Sequence, residues 1–132
     1  ATVIDDSYNA NPNAFCAAID VLSAMSATTV LIMGDMAELG NDSDSEHAKV
    51  GVYANQKNIN VLLTLGQHSE KASKAFSGDK EHFDSIEKLI TVAAQRANEN
   101  TVLLIKGSRS SRMDRVVHAL TKRGDINASL AG

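Results

Sequence analysis

Short apolar runs rich in β-branched residues recur along the chain, separated by longer stretches of mixed polarity. Four of these runs predict β-strands: "TVI" at 2–4, "TTVLIM" at 28–33, "NVLLTL" at 60–65 and "TVLLIK" at 101–106. Three of the four are almost continuously apolar, which is typical of strands that are covered on both faces. A shorter run, "EHF" at 81–83, is a candidate extra strand.

Between the runs, apolar residues recur at every third or fourth position, which is the period of an amphipathic helix. This pattern predicts helices over 13–25, 45–57, 68–76, 85–98 and 110–122. Pro12 is well placed to begin the first helix, because proline is favoured in a first turn. Strands that alternate with helices predict an α/β three-layer sandwich, in which a mostly parallel sheet carries helices on both faces.

Three polar loops follow predicted strands. They are "DDSYNANP" at 5–12, "GDMAELGNDSDSE" at 34–46 and "KGSRSSR" at 106–112. Open α/β sheets bind ligands beyond the carboxyl ends of their strands, where loops lead into helices. We therefore predict that the three loops meet around one binding site.

The loop at 106–112 has two interpretations. Gly107 permits a tight turn, and the amides of a helix start, with Lys106, Arg109 and Arg112 nearby, would suit a phosphate or a carboxylate. An ordinary capped helix with solvated arginines would show the same residues. The phosphate-binding pattern G-x-x-x-x-G-K-[ST] does not occur in the sequence.

The other two loops also have two interpretations. The surplus of donors and acceptors in "DDSYNANP", with its tyrosine, suits a ribose or a purine edge, yet Asp, Asn and Pro form ordinary turns and caps as well. In the second loop, Asp35 and Glu38 are candidates for Mg²⁺ binding or acid–base chemistry. We favour turn formation and helix capping for this pair.

Composition narrows the classes of partner. Of the 132 residues, 43% are apolar and 4% aromatic, so the core must be built from aliphatic side chains. A formal charge of −3 favours neither nucleic acid nor an anionic membrane. No apolar run approaches the roughly 20 residues that span a bilayer. The single cysteine, Cys16, cannot form an internal disulfide, and the four histidines show no metal-ligand spacing, so we interpret them as surface or satisfied side chains.

Four motifs occur in an order and at distances that match a known family. They are "DDSYNANP" at 5–12, "GDMAELG" at 34–40, the H-x-x-V-G of His47 to Gly51, and "KGSRSxxMxxVV" over 106–117. Together they resemble the C-terminal domain of the bacterial Mur ligases, over nearly the whole chain. The "SYNAN" form is more similar to the member that adds D-alanyl-D-alanine than to the members that add the earlier residues of the stem peptide.

The resemblance implies a reaction of cytoplasmic peptidoglycan precursor synthesis in bacteria. Such a ligase uses ATP and Mg²⁺ to convert the terminal carboxylate of UDP-N-acetylmuramoyl-tripeptide into an acyl phosphate, which the amine of D-alanyl-D-alanine attacks. The C-terminal domain of this family is Rossmann-like and closes over a central ATPase domain. The partners implied are therefore the enzyme's own N-terminal and central domains, ATP and the two substrates.

The resemblance also implies two sets of site residues. Those expected on the nucleotide side are Asp6, Tyr8, Asn9 and Asn11. Those expected to contact substrate or phosphate are Lys106, Ser108 and Arg109. The phosphate-binding loop and metal ligands of the family lie in the central domain, so we expect no catalytic residue and no metal ligand in this chain. As a fragment it should be inactive and should bind no cofactor tightly.

We expect the domain to extend over 1–122, followed by a solvated tail at 123–132 that is a candidate for disorder. Because the chain begins inside an apparent strand, it has the form of a piece of a longer polypeptide. Two alternatives remain open. One is a self-sufficient small α/β binding module of the receiver or flavodoxin type, and the other is the C-terminal domain of a related Mur or folylpolyglutamate ligase.

Overall fold

The computed structural model describes residues 1–7, 10–122 and 126–129. In these residues one parallel sheet of six strands has the order β4-β3-β2-β5-β1-β6. The strands are β1 (Thr2–Asp6), β2 (Thr28–Met33), β3 (Val61–Leu65), β4 (Asp79–Phe83), β5 (Thr101–Lys106) and β6 (Ile126–Ser129). The sheet confirms the α/β class, and the candidate strand "EHF" is the end of β4.

Helices connect the strands. They are α1 (Pro12–Ser23), α2 (Ser43–Gln56), α3 (Ser69–Ala75), α4 (Ile86–Arg96) and α5 (Asp114–Thr121). Local chemistry determines where two of them begin. The side chain of Asn11 accepts the Ala14 N–H at 2.8 Å ahead of Pro12 in α1, and Ser85 accepts the Lys88 N–H at 3.2 Å in α4.

Helices cover both faces of the sheet, which confirms the three-layer sandwich. Alternate residues of β2 face opposite sides of the sheet. Leu31 belongs to the apolar cluster that includes α1, α2 and α3, whereas Val30 and Ile32 belong to the cluster that includes α4 and α5. This period-2 division explains why the central strands are apolar throughout, since each face needs its own apolar side chains. None of the helices in the described residues combines the length and the apolar character that a membrane span requires.

Most predicted boundaries lie within two residues of the structure, and two predictions near the end of the chain differ by more. The helix predicted over 110–122 begins only at Asp114, because residues 109–111 form a 3₁₀ turn and Arg112 has a left-handed φ of 57°. Within the expected tail at 123–132, residues 126–129 instead form β6, which pairs with β1. The backbone groups on that side of β1 would otherwise lack strand partners, and β6 satisfies them. The rest of the tail lies outside the described residues.

Candidate functional site

The three polar loops meet at one edge of the sheet, as predicted. Because β2, β5 and β1 are parallel neighbours, their carboxyl ends lie side by side. Backbone hydrogen bonds join the second and third loops directly: the Gly34 N–H donates to the Lys106 carbonyl at 2.8 Å, and the Ser108 N–H donates to the Asp35 carbonyl at 2.9 Å. A surface groove lies between the first and second loops, with Asn11 and Glu38 among its lining residues.

The close approach of these loops depends on a residue without a side chain. A Cβ at Gly107 would lie 3.0 Å from the Gly34 Cα and 2.5 Å from the Ser111 Oγ. Any side chain at position 107 would therefore separate the second and third loops. Gly107 therefore allows the two loops to pack against each other, in addition to permitting the turn that the sequence predicts.

Lys106 and Asp6 form a buried ion pair at the ends of β5 and β1. Their Nζ and Oδ2 atoms are 2.6 Å apart, and the two side chains are only 1% and 9% exposed. The two residues are opposite each other in the strand register, and the ammonium also lies 5.5 Å from the centre of the Phe15 ring. The resemblance assigns these residues to two different ligands, whereas in the structure each is the partner of the other.

Asp5 and Asn11, two further residues of the first loop, have local structural partners. The Asp5 carboxylate accepts both the N–H and the hydroxyl of Ser7, at 3.0 and 2.6 Å, which closes an Asx turn. Asn11 caps α1. Tyr8 and Asn9, the other two residues expected on the nucleotide side, lie outside the described residues.

The third loop presents an arginine to solvent. The Ser111 hydroxyl donates to the Ser108 carbonyl at 2.6 Å, which holds the 3₁₀ turn, while Arg109 is exposed. Arg112 forms an ion pair with Asp114 at 3.0 Å, and Arg115 forms one with Glu87 at 3.4 Å. Over residues 1–7 and 10–122, Arg109 takes part in no ion pair. Its guanidinium is therefore the one in this loop without a carboxylate partner.

The second loop supports the interpretation of Asp35 as a capping residue. The Asp35 carboxylate accepts the N–H groups of His68 and Ser69 at 3.1 and 2.8 Å and the Ser69 hydroxyl at 2.6 Å. It thereby caps α3 from another element. Glu38 is exposed and has a left-handed φ of 63°.

His47 is a buried member of the site whose contacts the sequence does not reveal. Its ring is 0% exposed and lies between the Met36 amide and the Ser43 carbonyl, at 2.9 and 2.6 Å. Burial lowers the pKa of His47, although the carboxylate of Asp35 opposes that shift. The sequence indicates a special role for His47 only through its position in the H-x-x-V-G motif.

An open parallel sheet with three polar loops at the carboxyl ends of adjacent strands defines an α/β ligand-binding domain. The family model for the Mur ligase, glutamate ligase domain matches residues 1–109, and the chain belongs to this family. An unrelated receiver- or flavodoxin-like module is thereby set aside.

Curated relatives of the chain support this family assignment. The chain is 44% identical to the UDP-N-acetylmuramoyl-tripeptide–D-alanyl-D-alanine ligase of Escherichia coli K12, over 92% of the chain and 27% of that protein. It is 42% identical to the Haemophilus influenzae ligase of the same name, over 89% of the chain and 27% of that protein. The chain thus spans about a quarter of the length of the curated relatives it matches.

Solved ligase structures resemble this chain over part of their own length. MurF ligase from Thermotoga maritima, determined in complex with ADP, superposes with a TM-score of 0.76 at 28% identity, over 88% of this chain and 27% of that one. MurF from Acinetobacter baumannii superposes with a TM-score of 0.75 at 28% identity, over 88% of this chain and 26% of that one.

Proposed function

We propose that this chain is the C-terminal domain of a cytoplasmic bacterial ligase that uses ATP to join D-alanyl-D-alanine to UDP-N-acetylmuramoyl-tripeptide. The observation that carries the proposal is the 44% identity to a ligase of that name over 92% of the chain. Three of the four family motifs begin in loops that lie together at the carboxyl ends of adjacent strands, which supports the proposal. The partners of the domain are then the enzyme's own N-terminal and central domains.

In this proposal the first loop provides one wall of the nucleotide site. Its contacts would come from Asp6, Tyr8, Asn9 and Asn11. Asp6 takes part through the loop that it anchors, since its carboxylate is bonded to Lys106 within the protein. One wall of a site retains little affinity by itself, so the separate domain binds nucleotide poorly.

Arg109 is the residue best placed to contact a phosphate or the substrate carboxylate. It is exposed, it follows β5 at the edge where the loops meet, and no carboxylate of the described chain neutralises it. A guanidinium can grip either anion with two parallel hydrogen bonds. Ser108 lies beside it, while Lys106 supports the loop from within through Asp6.

In this proposal the carboxylates of Asp6 and Asp35 are structural, and Mg²⁺ binds elsewhere in the enzyme. Asp6 is bonded to Lys106, and the Asp35 carboxylate accepts three hydrogen bonds at the start of α3. Both carboxylates therefore already have partners within the protein, which supports a structural role for them. We therefore assign metal binding and phosphoryl transfer to the other domains, and substrate positioning to this one.

A comparison of the complete ligase with the isolated chain tests the proposal. The complete enzyme should release phosphate from ATP only when both the UDP-linked tripeptide and D-alanyl-D-alanine are present. The 132-residue chain should show no turnover, because phosphoryl transfer needs a phosphate cradle and Mg²⁺ ligands held together. Calorimetry with a non-hydrolysable ATP analogue should detect no micromolar binding. Turnover by the chain alone would overturn the proposal.

Asn11 has a capping role that can be separated from its proposed nucleotide role. Asn11→Ala should lower the free energy of unfolding by about 0.5–2 kcal/mol, because α1 loses its cap. Asn11→Asp should keep the cap, since aspartate is as good a capping residue, but should raise the KM for ATP by placing a negative charge beside the nucleotide. Urea unfolding of the chain and steady-state kinetics of the complete ligase measure the two effects.

Asn100→Ala is the matched control, because Asn100 is exposed, directly precedes β5 at the end away from the three loops, and makes no helix cap. This control should change neither the free energy of unfolding nor the KM for ATP. An Asn11→Asp enzyme with an unchanged KM for ATP would restrict Asn11 to capping.

A further inference from the structure

We propose that His47 is a positioning residue for the third loop, residues 106–112. It fixes the second loop at Met36, and the adjacent Asp35 carbonyl fixes the amide of Ser108. This inference rests on the proposed function, because that function assigns the third loop to substrate or phosphate. His47 is completely buried, so its influence on a ligand passes through the backbone of the two loops.

The two ring nitrogens of His47 have different partners. Nε2 accepts the Met36 N–H at 2.9 Å and therefore carries no proton. Nδ1 carries the proton and donates it to the Ser43 carbonyl at 2.6 Å. The neutral ring in this tautomer thus ties the second loop to the first turn of α2.

Asp35 transmits the position of Met36 to the neighbouring elements. Its carbonyl accepts the Ser108 N–H at 2.9 Å, and its carboxylate accepts the Ser69 N–H at 2.8 Å. Because Asp35 and Met36 share a peptide bond, a shift of Met36 displaces the acceptor of the Ser108 amide. The start of the third loop moves with it.

Charged groups around the ring make this geometry depend on its protonation. The Asp35 Oδ1 lies 3.9 Å from Nε2, the ring of His68 has its centre 5.6 Å away, and Asp44 lies 2.9 Å from the Nδ1 of His68. A proton on Nε2 would oppose the Met36 N–H and would point to the Asp35 carboxylate instead. Only the neutral ring therefore holds the second loop in its observed position.

Two substitutions separate the functions of the two nitrogens. His47→Gln can present an oxygen near the position of Nε2 and keep the bond from the Met36 N–H. His47→Asn can present its amide near Nδ1 and keep the bond to Ser43, but it leaves the Met36 N–H without an acceptor. A positioning role predicts that the glutamine variant works and that the asparagine variant does not. His82→Gln, on the edge strand β4, is the control.

In the complete ligase, His47→Asn should lower kcat/KM for D-alanyl-D-alanine roughly ten- to a hundredfold, the range that follows from a small misplacement of a binding group. His47→Gln should restore most of the loss, and His82→Gln should show none. Equal losses in both His47 variants, or full activity in His47→Asn, would overturn the proposal. Circular dichroism melting establishes that each variant is folded.

Nuclear magnetic resonance of the 132-residue chain gives a readout that needs no ligase activity. The Ser108 amide signal should move in His47→Asn and stay near its original position in His47→Gln. In the unsubstituted chain it should also move as the pH falls and His47 takes up a proton. An unchanged Ser108 signal in His47→Asn would refute the coupling even if the ligase is active. A complete protein without ligase activity would refute the proposed function, and the Ser108 signal would then decide the coupling separately.

Discussion

Replacing Lys106 by methionine is expected to lower the free energy of unfolding of this chain by about 3–5 kcal/mol. The substitution removes the ammonium that lies 2.6 Å from the Asp6 carboxylate, while that carboxylate stays only 9% exposed. A buried charge without its counter-charge is far less stable than the same charge in water. Methionine has nearly the length of lysine, so the effect measures the lost charge more than lost packing.

Denaturant unfolding of the chain measures this effect, and two further variants test its cause. Lys49→Met should cost less than about 1 kcal/mol, because Lys49 pairs with Glu46 at the surface. The double variant Asp6→Leu with Lys106→Met should recover most of the stability, since an apolar pair can replace a buried ion pair. A loss below about 1 kcal/mol in Lys106→Met would show that the pair is solvated.

A second large loss is expected from Gly51→Ala, at roughly 1–3 kcal/mol. Gly51 lies on α2 where this helix crosses the backbone of α3. A Cβ at this position would overlap the carbonyl oxygen of Ala72 and lie 2.9 Å from its carbonyl carbon. The clash is with backbone, which no side-chain rotation relieves, so the two helices must separate. The usual gain of alanine over glycine within a helix, about 0.5–1 kcal/mol, offsets only part of this.

Val52→Ala is the neighbouring control for Gly51→Ala. Val52 is 45% exposed on the same helix, and its substitution should change the stability by no more than about 0.5 kcal/mol. Thermal and urea unfolding should rank the two variants clearly. Equal stability of Gly51→Ala and the unsubstituted chain would mean that α2 and α3 are not in backbone contact.

Features set by nearby residues could be predicted from the sequence. The strands at 28–33 and 101–106 have the predicted bounds, because continuous apolar runs report that both faces are covered. The predicted α5 was too long at its start. Apolar spacing identifies which residues face the core, but it does not indicate the left-handed backbone of Arg112, which prevents the helix from beginning before Asp114.

Features set by distant residues could not be predicted. A lysine at the end of an apolar run suggests a ligand contact, and only the pairing of β1 with β5 shows that Asp6 lies beside it. In the same way, the partners of His47 depend on how the second loop folds back over α2. Strand β6 has little apolar signal of its own and forms where β1 offers unpaired backbone groups.

The position of β1 has a consequence for the order of folding. It lies between β5 and β6, the two strands furthest from it along the chain. Contacts between such distant segments form slowly, because the intervening chain must lose conformational entropy before the contact contributes any stabilisation. During synthesis, β2 and β3 can pair as soon as both have emerged, whereas β1 must wait for β5. Among the strands described here, β1 is therefore first in chain order but among the last to join the sheet, and its pairing with β5 completes the edge where the three loops meet.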